Sequence, residues 1–582
     1  MKQSFRIHRR QAVLHVESQI STSVRDLLQS KPFAEMLGRY YAELGLKHSA
    51  RLKPFGAAGL PRALDLIRVL ATIPLEKVVE VLPDASHLIE PDNRRALHEF
   101  VEGFYDYWRD FDRFMVLHSE PGPSSLDQRP YRSFNATLEN LDDTVRALYR
   151  DVCENITGAH PRVYRQVTAG CDVGLIAVPR RENVPSRYAG LLGDVPFIRQ
   201  VMINPPLILD PPSNTRTGQF ERVATDPLEG LEINPDEWLC FPARVGSLTI
   251  FAYFHEMFID LGCSLANLFE LADDADIAAG PDAIYLFGAD KVHMSAFGAL
   301  PTVFHDAGEL LVAAVPGEER FGYFGYLKKM ILTLHNIVMI KRGRLPFHGA
   351  MVRLSFKSGK CATMLLIGDT ATGKSETLEA LRQLSSEYLD EMRIIADDMG
   401  SLEISPAGRL KGYGTEIGAF VRLDDLGQDY AFKQMDRSIF MSPQKVNSRV
   451  VVPVTTLEDV LKGYEVNFLL YANNYEQIDA DHPILEAFAD AESALNVFRA
   501  GAAMSKGTTT ATGLVHSYFA NIFGAPQYRE QHEPLARATF EAAIASGVQV
   551  AQLRTRLGVS GFESSGPLEA AKALLEAVGG QN

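Results

Sequence analysis

Cysteine is scarce in this chain, with five residues among 582. They are scattered, include no C-x-x-C pair, and lie at Cys153, Cys171, Cys240, Cys263 and Cys361. The pattern argues against a disulfide framework or a structural zinc site, because both need paired or closely spaced thiols. A reducing compartment is the expected environment.

Long apolar runs are also missing. No stretch reaches the roughly 18 apolar residues that a membrane-spanning helix needs. The basic N-terminus, residues 1–6, is not followed by an apolar stretch of signal-peptide length. We therefore expect a soluble, cytoplasmic protein with no membrane contact.

Positive charge is in deficit. Lys and Arg number 58 against 73 Asp and Glu, which gives a formal net charge of −15. Non-specific nucleic-acid binding needs a broad basic face, so we expect no nucleic-acid partner. A local basic cleft for a phosphorylated small molecule remains compatible with this charge.

Three segments are predicted along the chain, in line with a length that favours more than one domain. Residues 1–125 are mostly helical, since apolar residues recur at spacings of three and four. Residues 126–344 carry short apolar runs between Pro- and Asn-rich turns, which is typical of an α+β domain. Residues 345–582 alternate strand, glycine-rich turn, helix and strand, which indicates a nucleotide-binding α/β core. The predicted class is α/β (α+β).

The glycine-rich turn that follows the apolar stretch 362–367 matches the phosphate-binding pattern G-x-x-x-x-G-K-[ST]. Its residues are Gly368, Asp369, Thr370, Ala371, Thr372, Gly373, Lys374 and Ser375. The glycines let backbone N–H groups face phosphate oxygens, and the helix that follows points its N-terminus at the same anion. We expect Lys374 to bridge the β- and γ-phosphates and Ser375 to ligate Mg²⁺.

Two acidic residues end the next predicted strand. Asp397 and Asp398 follow the apolar run 393–396. Carboxylates in this place can hold a metal ion beside bound phosphates. The alternative, a turn or helix-cap aspartate, is weakened by the phosphate-binding turn upstream.

These motifs resemble the core of the bacterial HPr kinase/phosphorylase family. The resemblance is carried by Gly-Lys-Ser-Glu at 373–376, including Glu376, by Ala-Asp-Asp at 396–398, and by His348 with Gly349 before the strand. That core shares its nucleotide-binding fold with phosphoenolpyruvate carboxykinase.

The flanking sequence is similar to the carboxykinase family itself, over roughly residues 320 to 530. Tyr323, the pair Lys328 and Lys329, His348, and Arg449 within Asn-Ser-Arg-Val-Val-Val-Pro occur in the family's order. Residues 501–513 resemble its mobile lid. The resemblance implies a carboxykinase-like, two-lobed P-loop fold with an additional N-terminal helical region.

The resemblance also implies roles for these residues. Lys329, His348 and Asp398 would ligate Mn²⁺, and Lys329 must then be neutral, which demands a depressed pKa. Lys328 and Arg449 would neutralise the phosphoryl group in transfer. Tyr323 would lie against the reacting carboxylate or CO₂, and Asp397 would act beside Asp398 at the metal site.

Several features depart from the carboxykinase pattern. Ala371 replaces a glycine of the loop, Ser375 and Glu376 replace a pair of threonines, and the tail after Leu557 lacks the adenine clamp. The substrate loop of the family is not found. Arg216 and Arg222 are the nearest candidates for binding a substrate carboxylate.

Three functions remain open from sequence. The first is a carboxykinase-type lyase that interconverts oxaloacetate and phosphoenolpyruvate with Mn²⁺, Mg²⁺ and a phosphoryl donor, which is ATP, GTP or pyrophosphate. The second is a kinase that phosphorylates a hydroxyl of a small molecule or protein. The third is a nucleotide sensor without activity, whose N-terminal helical region binds a protein partner.

Overall fold

The structure is a computed structural model, and it describes residues 4–17, 23–119, 129–299, 301–423, 434–506 and 512–579. The chain forms two compact units, Met1–Arg180 with Pro196–Asn204, and Arg181–Val195 with Pro205–Asn582. Both combine helices and sheet, so the predicted mixed α/β class is confirmed. The division into 1–125, 126–344 and 345–582 stays a prediction, and its first boundary lies outside the described residues.

The first unit packs helices against a mixed sheet. Its strands are β1 (Ser4–His8), β2 (Gln11–Val16), β3 (Asp112–His118), β4 (Val173–Val178) and β5 (Phe197–Ile203). Its helices are α1 (Val24–Gln29), α2 (Lys31–Leu46), α3 (Gly59–Leu70), α4 (Leu75–Val81), α5 (Pro91–Arg109) and α6 (Arg129–Thr157). The strands pair in chain order, with β2, β3 and β4 parallel and the outer pairs antiparallel.

Local sequence explains where several of these helices begin. The Ser30 hydroxyl accepts a hydrogen bond from the Phe33 N–H and Pro32 occupies the first turn of α2, both favourable at a helix start. Pro91 opens α5 in the same way. The predicted helices of residues 1–125 are therefore present, but β1, β2 and β3 lie in the same segment and were not predicted. These strands are short, and their apolar residues complete a core that the helices build.

The second unit contains a sheet in the order β8-β9-β11-β13-β12-β7, with β10 paired to β8. The strands, with the separate β6, are β6 (Leu207–Leu209), β7 (Glu221–Val223), β8 (Trp238–Val245), β9 (Leu248–His255), β10 (Glu270–Leu271), β11 (Ala283–Ala289), β12 (Val303–Asp306) and β13 (Leu311–Pro316). The helices of this part are α7 (Ala189–Leu192), α8 (Ile259–Ser264), α9 (Asp274–Ala279), α10 (Lys291–Met294) and α11 (Phe324–Lys341). Nearly every side chain of α11 is buried, although the helix carries two successive lysines near its start.

A second sheet of this unit follows the order β22-β18-β17-β14-β15-β23-β27-β24, with β16 paired to β14. Its strands are β14 (Leu345–Phe356), β15 (Cys361–Ile367), β16 (Leu389–Ala396), β17 (Met399–Ile404), β18 (Leu410–Gly414), β22 (Tyr464–Glu465), β23 (Phe468–Asn473), β24 (Leu485–Ala487) and β27 (Gln549–Arg554). The strands β15, β23 and β27 are parallel, while β14 pairs antiparallel with β15, β16 and β17.

Smaller elements complete the second unit. A four-stranded sheet joins β6 to β19 (Gly418–Arg422), β20 (Ile439–Met441) and β21 (Arg449–Pro453), and β25 (Ala502–Lys506) pairs antiparallel with β26 (Thr512–His516). The remaining helices are α12 (Lys374–Tyr388), α13 (Leu457–Leu461), α14 (Ala491–Ala500), α15 (Arg529–Ala545) and α16 (Ser565–Gly579). Part of the lid predicted at 501–513, residues 507–511, lies outside the described residues.

The predicted strand, turn and helix around the phosphate-binding pattern are confirmed as β15, the loop 368–373 and α12. β14 pairs with both β15 and β16. β16 ends at Ala396, directly before the two aspartates. In the described part of the chain no helix is both long enough and apolar enough to cross a membrane.

Gly349 in β14 is a position with no room for a side chain. A Cβ there would lie 2.3 Å from the carbonyl oxygen of Leu366 in the adjacent strand β15. Because a backbone oxygen in a sheet cannot easily move, we expect Gly349→Ala to lower the free energy of unfolding by roughly 1–3 kcal/mol. Urea denaturation measures this.

The matched control for that substitution is Gly190→Ala in α7, where a Cβ meets nothing within 4 Å. We expect it to change stability by less than about 0.5 kcal/mol. Equal stability of the two variants would show that β14 and β15 are not packed as described.

Candidate functional site

A cavity of about 220 Å³ in the second unit collects most of the residues that the sequence singled out. The predicted site residues in its wall are Tyr323, Lys329, Thr370, Ala371, Lys374, Ser375, Glu376, Asp397, Asp398 and Arg449. They come from the start of α11, the phosphate-binding loop with α12, the end of β16, and β21. Segments far apart in sequence therefore meet at one place.

The phosphate-binding loop folds around its own lysine. The Lys374 ammonium is buried and donates to the carbonyl oxygens of Gly368 at 2.6 Å and Asp369 at 2.9 Å. Burial lowers the pKa of Lys374 below its ordinary value. The ammonium is thus held at the loop by neutral oxygens, which anionic phosphate oxygens would replace with a stronger interaction.

Two positions of the loop use backbone conformations that favour glycine. Gly373 has φ +92°, and a Cβ there would lie 2.6 Å from the hydroxyl oxygen of Thr555. Ala371 has φ +65° although it is not a glycine. The carboxykinase pattern has a glycine at position 371. Here alanine occupies that position and keeps the left-handed backbone conformation that favours glycine. The Thr555 hydroxyl donates to the carbonyl of Thr372 at 2.7 Å and fixes the loop from outside.

Lys328 is a buried ammonium held by acids. Its Nζ lies 2.9 Å from a carboxylate oxygen of Asp398 and 3.3 Å from one of Glu416, and only 1% of its side chain is exposed. Burial alone would lower the pKa of Lys328, but the negative charge of Asp398, with the Glu416 carboxyl beside it, outweighs burial and raises that pKa. Lys328 is therefore a permanent cation beside the cavity.

Lys329, the next residue, has the opposite electrostatics. Burial, followed by the positive charges of Arg216 and Lys328, lowers the pKa of Lys329 to about 8. Its Nζ lies 4.8 Å from the centre of the Phe523 ring. This agrees with the depressed pKa that a metal-binding lysine requires.

His348 and Asp398 face each other in an arrangement that suits a cation. The Nδ1–H of His348 donates to the carbonyl oxygen of Ala520, which leaves Nε2 with a lone pair. Nε2 lies 3.1 Å from Oδ1 of Asp398, and the imidazole is buried. Two acceptors this close need a proton or a metal ion between them. His348, Asp398 and Lys329 therefore offer a donor set that fits Mn²⁺.

The peptide that fixes the imidazole is unusual. Phe519, Ala520 and Asn521 all have positive φ, at +46°, +57° and +61°. Non-glycine residues rarely adopt this conformation, which costs about 1 kcal/mol or more each. Tertiary contacts hold the turn, since Asn521 donates to a carboxylate oxygen of Asp369 at 3.4 Å.

The three acids of the cluster, Asp397, Asp398 and Glu416, ionise differently. Burial, with the neighbouring charge of Asp398, raises the pKa of Asp397 to about 6. Burial likewise raises the pKa of Glu416 to about 8, because Lys328 compensates only in part. Asp398 is also buried, but Lys328 and His348 hold its pKa well below its ordinary value. Asp398 is thus the permanent anion of the set.

Arginines and an aromatic ring form the opposite wall. Arg449 in β21 and Arg422 in β19 are register partners, and both line the cavity. The Arg449 guanidinium lies 5.4 Å from the centre of the Phe420 ring, and its Nε makes no hydrogen bond. Tyr323 packs against the same ring at 6.0 Å. The wall therefore presents positive charge toward the phosphate-binding loop.

The two arginines predicted to bind a substrate carboxylate have different surroundings. Arg216 is close enough to lower the pKa of Lys329, and burial lowers its own pKa. Arg222 instead pairs with Asp306 at 3.5 Å and stacks 4.6 Å from the Tyr528 ring centre. Arg222 is not among the described residues that line the cavity, so the structure does not bring it to the site. Asp306 also pairs with Lys341 at 2.7 Å, so one carboxylate holds both cations.

Sequence reasoning missed several residues of the site, namely Glu416, Phe420, Arg422, Ser517, Asn521 and Phe523. Glu416 lies two residues before β19 and belongs to no motif that the sequence analysis identified. A charged residue ahead of a strand is usually exposed, and only the structure shows that Glu416 is 1% exposed. The aromatic residues carry no signal that separates them from core residues.

No protein-family model matches the chain, and no curated protein matches it. The geometry of the cavity is therefore the basis on which a function is proposed.

The raised pKa of Glu416 predicts a pH-dependent stability. The folded protein keeps the proton of Glu416 up to about pH 8, whereas the unfolded chain releases it near pH 4.5. Stability from this group is present at low pH, and between those pH values the free energy of unfolding falls by up to about 1.4 kcal/mol per pH unit. Glu416→Gln should remove this dependence.

We therefore expect Glu416→Gln and the wild type to have similar stability near pH 5, and the variant to be more stable near pH 9. Urea denaturation at several pH values measures the difference. Glu232→Gln, at an exposed glutamate, controls for the loss of one charge. Parallel pH profiles for wild type and Glu416→Gln would contradict the buried, protonated state.

Proposed function

We propose that this cavity is the active site of a phosphoenolpyruvate carboxykinase-like phosphotransferase on a carboxykinase-like P-loop fold. One observation carries the proposal: a phosphate-binding loop, a lysine of depressed pKa and two aspartates line a single cavity, and a permanently charged lysine pairs with one of those aspartates. Each feature alone has an ordinary structural explanation. Together they supply cations for phosphate oxygens and ligands for divalent metal ions.

The loop would bind the phosphates of a nucleoside triphosphate. The Lys374 ammonium donates hydrogen bonds to carbonyl oxygens of the loop. When a nucleotide binds, it would donate to oxygens of the β- and γ-phosphates instead. Ser375, the second residue of α12, would bind Mg²⁺ together with Asp397. The N-terminus of α12 adds backbone N–H groups for the same anion.

A second metal ion, Mn²⁺, would be held by His348, Asp398 and Lys329. When bound, it acts as a Lewis acid that stabilises negative charge on a substrate oxygen. The Ala520 carbonyl keeps the His348 lone pair aimed at the ion. The pKa of about 8 lets Lys329 lose its proton at a modest cost, so that it can serve as a ligand.

The reaction proposed is the decarboxylation of oxaloacetate followed by phosphoryl transfer. The C–C bond to the departing CO₂ breaks, and its electron pair forms the enolate. The enolate oxygen then attacks the γ-phosphorus in line, the bond from that phosphorus to the bridging oxygen breaks, and the nucleoside diphosphate leaves. Arg449 and Lys328 would spread the charge that develops on the transferred group. Tyr323 would lie beside the leaving CO₂, and Arg216, which is close enough to Lys329 to lower its pKa, would bind the remaining carboxylate. Exclusion of water prevents protonation of the enolate to pyruvate.

A kinase that phosphorylates a hydroxyl group is the second candidate. It is favoured by Glu376, which lines the cavity as in the HPr kinase pattern, and by the pKa of Asp397. A carboxylate with a pKa of about 6 can accept the proton of an attacking hydroxyl near neutral pH. A nucleotide sensor without activity would use the loop but has no need of the second metal set.

The test is to incubate the protein with oxaloacetate, Mn²⁺ and each of ATP, GTP and pyrophosphate, and to measure phosphoenolpyruvate and pyruvate. Phosphoenolpyruvate formation with one donor is expected. Lys374→Ala should reduce its rate at least about a hundredfold, since it removes charge where negative charge develops. Lys572→Ala, at an exposed lysine of α16, should leave the rate unchanged.

Nucleotide hydrolysis without phosphoenolpyruvate formation would move the assignment to the kinase. A normal rate for Lys374→Ala would remove the loop from the mechanism altogether. Nucleotide binding with neither hydrolysis nor transfer would leave the sensor.

Metal binding can be measured without turnover. Mn²⁺ binding, followed by electron paramagnetic resonance, should weaken at least tenfold in His348→Gln, because one ligand and its anchored lone pair are lost. His482→Gln is a matched control, since His482 also pairs with an aspartate, at 2.8 Å from Asp479, but is exposed. Equal Mn²⁺ affinity of both variants would show that His348 is not a ligand.

A further inference from the structure

The first unit encloses a second, larger cavity, of about 380 Å³. Strands β1, β2 and β3 form one side, and α1, α2, α5 and α6 form the other. Apolar side chains dominate its wall, and they include the aromatic residues Phe33, Phe104 and Trp108. No residue of the proposed active site takes part, so this cavity raises a separate question of function.

A polar atom of a residue in the wall, Nη1 of Arg113, has no hydrogen-bond partner. Arg113 in β3 is 4% exposed, and its Nε and Nη2 donate to the carboxylate of Asp172 at 3.1 and 2.5 Å. Its Nη1 is buried without a hydrogen bond. Buried donors in folded proteins are nearly always paired, so an unpaired guanidinium nitrogen in a cavity wall indicates an acceptor that binds there.

Charge decides what kind of acceptor this is. Asp172 already neutralises Arg113 with two hydrogen bonds, so a carboxylate ligand would bring an unbalanced negative charge into an apolar space. Asp26, the other acid in the wall, is exposed on α1 and would repel an anion further. An uncharged oxygen, such as that of a ketone, ester or amide, accepts from Nη1 without this cost.

Size and access limit the ligand further. An apolar cavity of about 150 Å³ holds one benzene molecule, so this one has room for two fused rings with substituents. Asp26 and Gln29 are exposed residues of its wall, which places its opening beside α1.

We propose that the first unit binds an uncharged, largely apolar molecule of two-ring size whose carbonyl oxygen accepts a hydrogen bond from Arg113. This site is independent of the proposed phosphotransferase function. It gives the first unit a role as a small-molecule binding module.

The probe for the test is 6-propionyl-2-(dimethylamino)naphthalene, which is uncharged and has two rings and one ketone. The chain has two tryptophans, and Trp108 lies in the wall of the cavity. In the full-length Trp238→Phe variant, binding should quench Trp108 fluorescence by energy transfer, saturably, with a Kd on the order of 10 μM. No saturable quenching would overturn the proposal.

Competition against the probe tests the role of Arg113. 2-Acetonaphthone should compete about tenfold better than 2-ethylnaphthalene, which lacks the carbonyl, and better than 2-naphthoate. Asp172→Asn should shift the preference toward 2-naphthoate, because no carboxylate of the protein then neutralises the positive charge of Arg113. Equal competition by the ketone and the hydrocarbon in the wild type would overturn the hydrogen bond to Arg113.

A substitution that fills the cavity tests whether the probe binds there. Ala12 lies in the wall and is 2% exposed. Ala12→Phe should abolish probe binding while the protein stays folded, as circular dichroism and the thermal midpoint report. Probe binding at wild-type affinity in folded Ala12→Phe would place the probe elsewhere and overturn the proposal. If Ala12→Phe does not fold, Val145→Phe on α6 provides the same test from the opposite wall.

Discussion

The candidate site depends on one buried ion pair, between Lys328 and Asp398. A buried ammonium is tolerated only when acids hold it, and loss of one partner of such a pair costs roughly 3–5 kcal/mol. The pair connects the start of α11 to the end of β16. Glu416, which lies between β18 and β19, binds the same ammonium. Because Lys328 fixes Asp398 as an anion, it also determines which face of that carboxylate is left for His348.

The contrast between neighbouring lysines follows from this arrangement. Lys328 forms the ion pairs with the acids. The pKa of Lys329 is instead set mainly by burial and by the like charge of Arg216. One helix thereby presents a fixed cation and a base that can become neutral. Two successive residues of the same type thus acquire different chemistry from the packing alone, without any difference in their covalent structure.

The sequence predicted the parts of the site whose chemistry has a local signature. The phosphate-binding turn between β15 and α12, the lysine pair, His348 and Asp398 all lie together. Glu416 could not be predicted, because its importance comes from burial rather than from residue type. Arg222 is not among the described residues that line the cavity, because it pairs with Asp306 of the adjacent strand β12, and its role stays a prediction. The strands β1 to β3 escaped prediction because they are short. β1 and β2 form a local hairpin, whereas β3 pairs with β2 and β4 across long stretches of chain, and pairing that distant leaves little trace in local periodicity.

The turn of three left-handed residues has a consequence for how ligands influence each other. Ser517 and Asn521 both contact the carboxylate of Asp369 in the phosphate-binding loop, while Ala520 between them contacts His348. An anion that repositions Asp369 therefore changes the free energy of the peptide that orients the imidazole. By thermodynamic reciprocity, a cation at His348 alters anion affinity by the same factor. Cooperativity between the two ligands is built into a single short stretch of backbone.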